Sequence, residues 1–443
     1  MPRSLAESGD IKKFIITSHT GNTADLTGGI AEFKYYESVV SNTFTATATV
    51  VDTGYEGSTD SPKPNKGVID GLPIRGDETC QIVVEDANGT QLSWPYGIHV
   101  NRVRNSMDMT QKDVFFIDFW SKEAVDNQLT RVMKRYEGKI SDHVKDILTN
   151  VLGTSMPLNI DETAHTSESA NIDYNFLGDD RRPFYTCTWL APKAVPAEAG
   201  EPGKAAGFLF YQTEQEYNFR SIDVLFTQEQ VKKYIYHDRE DIPEGYDDNI
   251  QSFQVVSDVD MDQNMNLGMY HNRSIFFDFA RMNYIVVGFN GPSQRPGLEL
   301  GGIDEKFTGE VVSEKVKAKP SRLMHHILDI GSHNDGVGDE QLDNWRSDPN
   351  KANYDAIERQ AKAAMRYSEL FTIRFNITIP GDFSLHAGDL IYVNYPQLAT
   401  DTSNPESGGL YMIANLCHRM TSSDTFTSLT LVRDAFGKKT GMN

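Results

Sequence analysis

Phe371-Thr-Ile-Arg-Phe-Asn-Ile-Thr-Ile-Pro380 sets the fold class of this 443-residue chain. Ile373, Phe375, Ile377 and Ile379 alternate with Arg374, Asn376 and Thr378, the period of a strand with one buried face. Pro380-Gly-Asp382 stops the run with turn residues, and His386-Ala-Gly-Asp389 marks a second turn before Leu390-Ile-Tyr-Val-Asn-Tyr-Pro396. Gly409-Leu-Tyr-Met-Ile-Ala-Asn-Leu-Cys-His418 and Thr425-Phe-Thr-Ser-Leu-Thr-Leu-Val432 follow. Four such runs with short or polar connections read as an antiparallel meander, with Ile377, Ile379, Leu429 and Leu431 facing inward. A meander must protect its edges by closure or by pairing with another chain. Nothing in it has the pattern of an active site.

Working outward, the segment from Ile11 to Trp120 is also strand-like. Phe44, Ala46, Ala48 and Val50 alternate with Thr45, Thr47 and Thr49, and Asp86-Ala-Asn-Gly89 is a hairpin signal. The segment predicts a compact all-β domain of barrel or sandwich type. The period changes at Ser121, which predicts a capped helix through Tyr136 with Leu129, Val132, Met133 and Tyr136 on one face. A second helix is expected from an N-cap at Ser141 to a stop at Gly153, and a third from Arg182-Pro-Phe184 to Leu190. Phe208–Thr213 and Tyr217–Asp223 predict a hairpin around Glu214 to Glu216. Alternation returns from Asn249 to Gly268, strand character continues near Phe276 and Tyr284, and a helix is expected over 353–370. Loops are expected at 54–67, 192–207 and 332–350.

The bulk numbers narrow the function. There are 63 acidic against 42 basic residues, a net charge of -21. That balance counts against sequence-specific nucleic-acid binding, where a basic stripe is expected, and against electrostatic membrane attachment. It suits a passage to which polyanions do not stick. Cys80, Cys187 and Cys417 lie in apolar runs without pair or metal spacing and read as reduced, buried small hydrophobes. The N-terminus lacks an apolar secretory core, and no run approaches the length of a membrane span, so assembly in a cytoplasm and no membrane insertion are expected.

Candidate chemistry is sparse. Asp258-x-Asp-x-Asp-x-Asn264 opens like a calcium loop, yet Gln263 and Met269 stand where such a loop needs glycine and glutamate. His237-Asp-Arg-Glu-Asp241 reads as a solvated turn, and His325-His326 has no third ligand at useful spacing. Phosphate loops, nucleophile elbows and His-Glu-x-x-His are absent from the sequence. No catalytic residue, cofactor or metal is assigned.

Arg182-Pro-Phe-Tyr to Leu190, Gly207-Phe-Leu-Phe-Tyr-Gln-Thr to Asp223, and Met365-Arg-Tyr-Ser-Glu-Leu-Phe371 carry a resemblance. So do Ile379–Asp389, Ser407-Gly-Gly-Leu-Tyr-Met-Ile-Ala to His418, and Thr427–Asp434. The chain resembles the baseplate central hub protein of contractile-tailed (myovirus-type) bacteriophages, particularly marine and cyanobacterial members, and more distantly the hub part of type VI secretion spikes.

The resemblance implies a mostly β fold with α+β insertions, built on two tube-type antiparallel β-barrel domains. One barrel falls at 1–120, an α+β domain at 121–244, the start of the second barrel at 245–268, and an inserted mixed segment at 269–364. The rest of the second barrel falls at 365–436, before a tail at 437–443. Implied family-motif positions are Pro183, Phe184, Phe219, Arg220, Ser221, Tyr367, Gly381, Gly388, Asp389, Gly409, Tyr411, His418 and Arg433. The implied role is non-enzymatic: a homotrimeric ring in the virion tail baseplate, between hexameric tail tube and trimeric central spike, touching baseplate wedge proteins and letting DNA pass. A type VI-like spike component and a tail-associated glycan hydrolase are the alternatives.

Overall fold

The computed structural model describes residues 8–52, 72, 74–109, 112–164, 173–197, 206–236, 242, 244–257, 261–268, 271–279, 282–290, 320–329, 331, 353, 356–371, 373–394 and 408–434. The period-two runs of the first third form β1 (Asp10–Thr17), β2 (Thr23–Asp25), β3 (Ile30–Ser38), β4 (Thr45–Asp52), β5 (Thr79–Glu85), β6 (Gln91–Ser93), β7 (Ile98–Met109) and β8 (Lys112–Ser121). Mixed structure follows: α1 (Lys122–Leu129), β9 (Arg135–Gly138), α2 (Ile140–Asp146) running into a wider turn at Ile147–Leu152, β10 (Leu158–Ile160), β11 (Tyr174–Leu177), α3 (Pro183–Leu190), β12 (Phe208–Gln212), β13 (Tyr217–Ser221) and α4 (Ile222–Leu225). Then come β14 (Lys232–Ile235), β15 (Asp248–Asn249), β16 (Ser252–Ser257), α5 (Met261–Leu267), β17 (His271–Asp278), β18 (Asn283–Asn290), β19 (Arg322–Ile327) and α6 (Ala356–Leu370). The closing meander is β20 (Ile373–Pro380), β21 (Leu390–Asn394), β22 (Gly409–Thr421) and β23 (Thr425–Arg433).

The fold is mostly β with α+β insertions, but the two expected barrels are absent. Among the described residues no sheet closes on itself. The strands of both ends of the chain instead join one 15-stranded sheet. Strand β22 is the seam. Its leading part pairs with β21, as in Leu390↔Met412, and its trailing part pairs with β3 from Asn415↔Ser38 to Thr421↔Glu32. Strand β23 pairs with β22 too, and a bulge between Ile413 and Asn415 interrupts that ladder.

A long bulged strand can serve two neighbours end to end, so β3 spends its edge on β22 rather than on closing an N-terminal ring. The core is shared accordingly: Phe14, Tyr35 and Phe119 lie in one apolar cluster with Ile377, Ile413 and Leu429. One large core buries a larger fraction of its surface than two small ones. Ile377, Ile379, Leu429 and Leu431 are at most 1% exposed, as their alternation predicts, with Ile377 opposite Leu429.

The insertions have their own core, in which Tyr136, Val144, Leu148, Phe184, Phe210 and Phe219 pack among β9–β11, the sheet β10–β13–β12, α2 and α3. A further cluster joins them to the large sheet, setting Leu209, Tyr211 and Leu225 against Leu370, Leu390 and Met412. Strands β18–β17–β19 form a separate sheet.

Three local expectations are corrected. Ser121 does cap α1, its Oγ accepting from the Ala124 N–H at 3.3 Å, but the helix ends at Leu129. Thr130 is extended there, and Leu129 and Met133 are 81% and 72% exposed. Tyr136 belongs to β9, because pairing with β11 competes for that segment. The N-cap of α2 is Lys139, since the Ser141 hydroxyl accepts from Thr163. Residues 261–267 are helical, where alternation predicts a strand; Asn266 Nδ2 donates to Asp262 one turn back, and Gly268 at φ 78° ends the helix. His237–Asp241, residues 258–260, Met269 and the segments 54–67, 198–205, 332–350 and 437–443 lie outside the described residues.

Candidate functional site

The alternation of β3 places Phe33, Tyr35 and Glu37 in one inward row, so a carboxylate is delivered where its neighbours are aromatic. Burying a charge there costs several kcal/mol unless it is paired. Glu37 is 2% exposed and fully engaged. It accepts from the Tyr35 hydroxyl at 2.8 Å, the Glu214 N–H at 2.9 Å, the Ala387 N–H at 2.9 Å and His386 Nδ1 at 3.2 Å. Three remote parts of the chain therefore meet on one carboxylate: β3, the β12–β13 turn and the turn before β21.

The electrostatics follow from burial and pairing. Burial pulls the His386 imidazolium down, but the Glu37 carboxylate outweighs it and the pKa is raised to about 9. Burial pushes Glu37 up, while His386 and the two N–H donors pull it back to a net lowering. Burial raises Asp389 to about 6, although His386 opposes, and it raises Glu214 as well. His418 is depressed to about 4 by burial; its Nε2–H donates to the Leu385 carbonyl at 3.3 Å and its Nδ1 accepts from Thr427 at 2.9 Å. The pair Glu37–His386 is thus an ion pair inside a ring of satisfied polar groups.

A second charged joint ties α6 to both cores. Arg366 is 1% exposed; its guanidinium reaches Asp223 at 2.7 Å and Asp434 at 2.9 Å, with Glu369 at 4.0 Å. Burial lowers its pKa, yet Asp434 and Asp223 more than reverse the effect. Phe226 lies under the same guanidinium at 4.8 Å, so one side chain locks α4, α6 and the end of β23 together.

The expected motif positions fall into two groups. Pro183 opens α3, and the Phe184 N–H donates to Asn127 at 2.9 Å while its ring packs on Phe210 and Tyr217. Phe219 stacks on Phe208 at 4.8 Å. Arg220 Nε and the Ser221 N–H both donate to Asp161 at 2.8 Å. In the large sheet, Tyr411 is fully buried against Phe375, with the Arg433 guanidinium 4.7 Å above its ring.

Glycine is required where chains approach. A Cβ on Gly381 would collide with Thr425, and one on Gly409 would lie 2.8 Å from Arg433 Nη1. Gly388, at φ 96°, faces the Tyr211 hydroxyl. Asp389 Oδ2 accepts from the His386 N–H at 2.8 Å, closing the turn. Tyr367 bridges the groups: its hydroxyl donates to the Phe208 carbonyl and accepts from the Phe208 N–H at 3.1 Å. Of these positions, Tyr367 and Gly388 each reach across the join between the insertions and the large sheet.

Sequence reasoning missed Glu37, Glu214 and the Arg366–Asp223–Asp434 group. The only available signals were a glutamate on an inward row and an arginine inside an apolar helix face. His325 and His326 lie on β19, and no group of three or more His, Cys, Asp or Glu among the described residues is placed to hold a metal. Cys80, Cys187 and Cys417 are free thiols. No described helix is long and apolar enough to cross a membrane.

No protein-family model and no curated protein matches the chain in sequence. Solved structures do match in fold. A tail protein from Neisseria meningitidis superposes with a TM-score of 0.54 at 8% identity, over 95% of this chain and 96% of that one. The 43 kDa tail protein of prophage MuSo2 from Shewanella oneidensis gives 0.51 at 8% identity, over 95% and 98%. An E. coli component of the type VI secretion system, described as similar to the T4 bacteriophage tail proteins gp27 and gp5, gives 0.42 at 6% identity, over 97% and 78%. At these identities the likeness is one of fold.

Proposed function

We propose that this chain is a structural baseplate hub protein of a contractile tail, acting without catalysis. The observation that carries the reading is the end-to-end likeness of fold to two tail proteins, each covered over at least 96% of its own length. Three copies form a ring between the hexameric tail tube and the trimeric central spike, surrounded by wedge proteins. Each copy contributes two sets of strands to its one large sheet, β1–β8 and β14–β16 with β20–β23, so three copies present six sets to a sixfold tube. The segment 121–244, apart from β14, and the segment 269–364 are insertions carried by those strands. Tyr367 and Gly388, with the Arg366 joint, tie the insertions to the sheet, which supports a structural part.

The net charge of -21 supports a lumen that DNA traverses without sticking, because a basic lining would hold phosphates. The protein resides in the virion tail after assembly in the host cytoplasm. Native mass spectrometry of the chain co-expressed with its spike tests the reading. A complex of three hubs on one spike trimer is expected, and a hub that remains monomeric beside assembled spike contradicts it.

A further inference from the structure

Strands β17, β18 and β19 form a sheet of their own with β17 in the middle, and alternation gives that sheet two unlike faces. Asn272, Ser274 and Phe276 of β17 point inward and are at most 2% exposed, with Phe276 in the core of the insertions. Arg273, Ile275 and Phe277 therefore point outward. The register sets Val286 and Tyr284 of β18 beside them on one side and Leu323, His325 and Ile327 of β19 on the other. Phe277 sits at the centre, its ring 6.4 Å from Tyr284 and 6.0 Å from His325. Tyr284, Val286, Leu323, Ile327 and, at the β17–β18 turn, Phe279 and Met282 are all at least 49% exposed.

The charge on this face is one-sided. No carboxylate stands on the outward rows of the three strands: Asp278 is buried on the inward side. Asp329, just past the end of β19, is held by the Tyr174 hydroxyl and the Asn353 amide. Arg273 is exposed and makes no ion pair or hydrogen bond among the described residues. Aromatic, methionine and arginine side chains with acidic groups left out are the composition of the centre of a protein interface. Strands of eight residues, three abreast, cover about 26 Å by 14 Å, the size at which an exposed apolar patch marks an interaction site.

We propose that the outward face of β17–β19 is a contact surface for a second copy of this chain, docked head to tail with a carboxylate of the neighbour on Arg273. The inference rests on the hub reading for the reason that copies must meet. Two chains of net charge -21 repel each other, so a contact between them needs a surface free of carboxylates on at least one side, and this face supplies one. The free guanidinium then sets the orientation. A twofold contact of the face with itself would bring Arg273 onto rows that hold no carboxylate, whereas a head-to-tail contact brings it onto the acidic remainder of the neighbour. Head-to-tail contacts of one kind close into rings. The face is smaller than the roughly 800 Å² per partner of a standard stable interface, so a single contact is weak and ring closure strengthens it.

Sedimentation velocity of the full chain, taken up to about 200 µM, tests the contact. Reversible association with a trimer as the largest species is expected, weakening as salt is raised. Arg273→Glu and Leu323→Asp should each weaken it about tenfold or more without altering thermal unfolding. Should Leu323→Asp not fold, Met282→Asp at the exposed turn takes its place. The proposal is overturned by a chain that stays monomeric, by a dimer as the limiting species, or by variants that associate as the wild type does. Co-expression with the spike separates it from the hub reading. A normal complex of three Arg273→Glu chains on the spike would overturn the copy contact and leave the hub reading standing. Variants that associate normally but lose the spike would assign the face to the spike and overturn the copy contact. Wild-type chains that associate through the face yet never engage the spike would uphold the contact and contradict the hub.

Discussion

Glu37 and His386 stand 349 residues apart in the sequence and 3.2 Å apart in the fold. This contact makes stability depend on pH in a defined sense. The folded-state pKa of His386 is raised from 6.5 to about 9, so its contribution is fully present below about 6.5 and is lost as pH rises through about 9. The full contribution is on the order of 3 kcal/mol. Urea titrations of the wild type and His386→Gln should show a stability gap that narrows between pH 6.5 and 9.5. A gap that stays constant would mean that the ion pair does not form.

Acid acts through a different residue. His418 is depressed from 6.5 to about 4, so the unfolded chain takes up its proton first and stability falls as pH drops through that interval. Asp389, raised to about 6, works against this loss, because its folded form is protonated earlier than its unfolded form. His418→Gln should remain folded yet lose less stability than the wild type between pH 6.5 and 4.5, as read from chemical unfolding midpoints at each pH.

Removing Arg366 leaves Asp223 and Asp434, each 1% exposed, without their shared cation. Breaking a buried ion pair from one side costs about 3–5 kcal/mol. Arg366→Met should lower the unfolding midpoint by that order, and adding Asp223→Asn should recover part of it. Two independent, additive losses in the double variant would contradict the shared joint.

Gly388→Ala places a methyl group in a left-handed turn at φ 96° and against the Tyr211 ring. Backbone strain alone is on the order of 1–3 kcal/mol. Because the turn docks on the β12–β13 hairpin, hydrogen exchange should speed up in residues 208–221 as well as at 386–389. Faster exchange confined to the turn would mean that the hairpin does not depend on it.

How much of this was legible depends on the range of the competing interaction. Ile377, Ile379, Leu429 and Leu431 were placed correctly because alternation is a local property of a half-buried strand. The end of α1 was not, since Thr130 turns away so that β9 can pair with β11, a contact between segments far apart in sequence. Open or closed sheet topology was equally hidden: whether β3 closes a ring or pairs with β22 depends on Ser38 meeting Asn415. The motif glycines could be named from the sequence, but Thr425, Tyr211 and Arg433, which forbid a side chain there, could not. Glu37 became visible only with the fold, for an isolated charge in a strand reads as solvated until its partners are known.

The most direct test of the hub account is the number of copies at the junction of tube and spike in intact tails, measured by electron cryomicroscopy with labelled chain. Under the proposed reading, two sets of strands per copy match a sixfold tube as a threefold ring. Three copies encircling one spike trimer, with β1–β8 and β20–β23 facing the tube, are the expected result. Six copies at that level, or the chain found in a peripheral fibre or the head, would contradict the account.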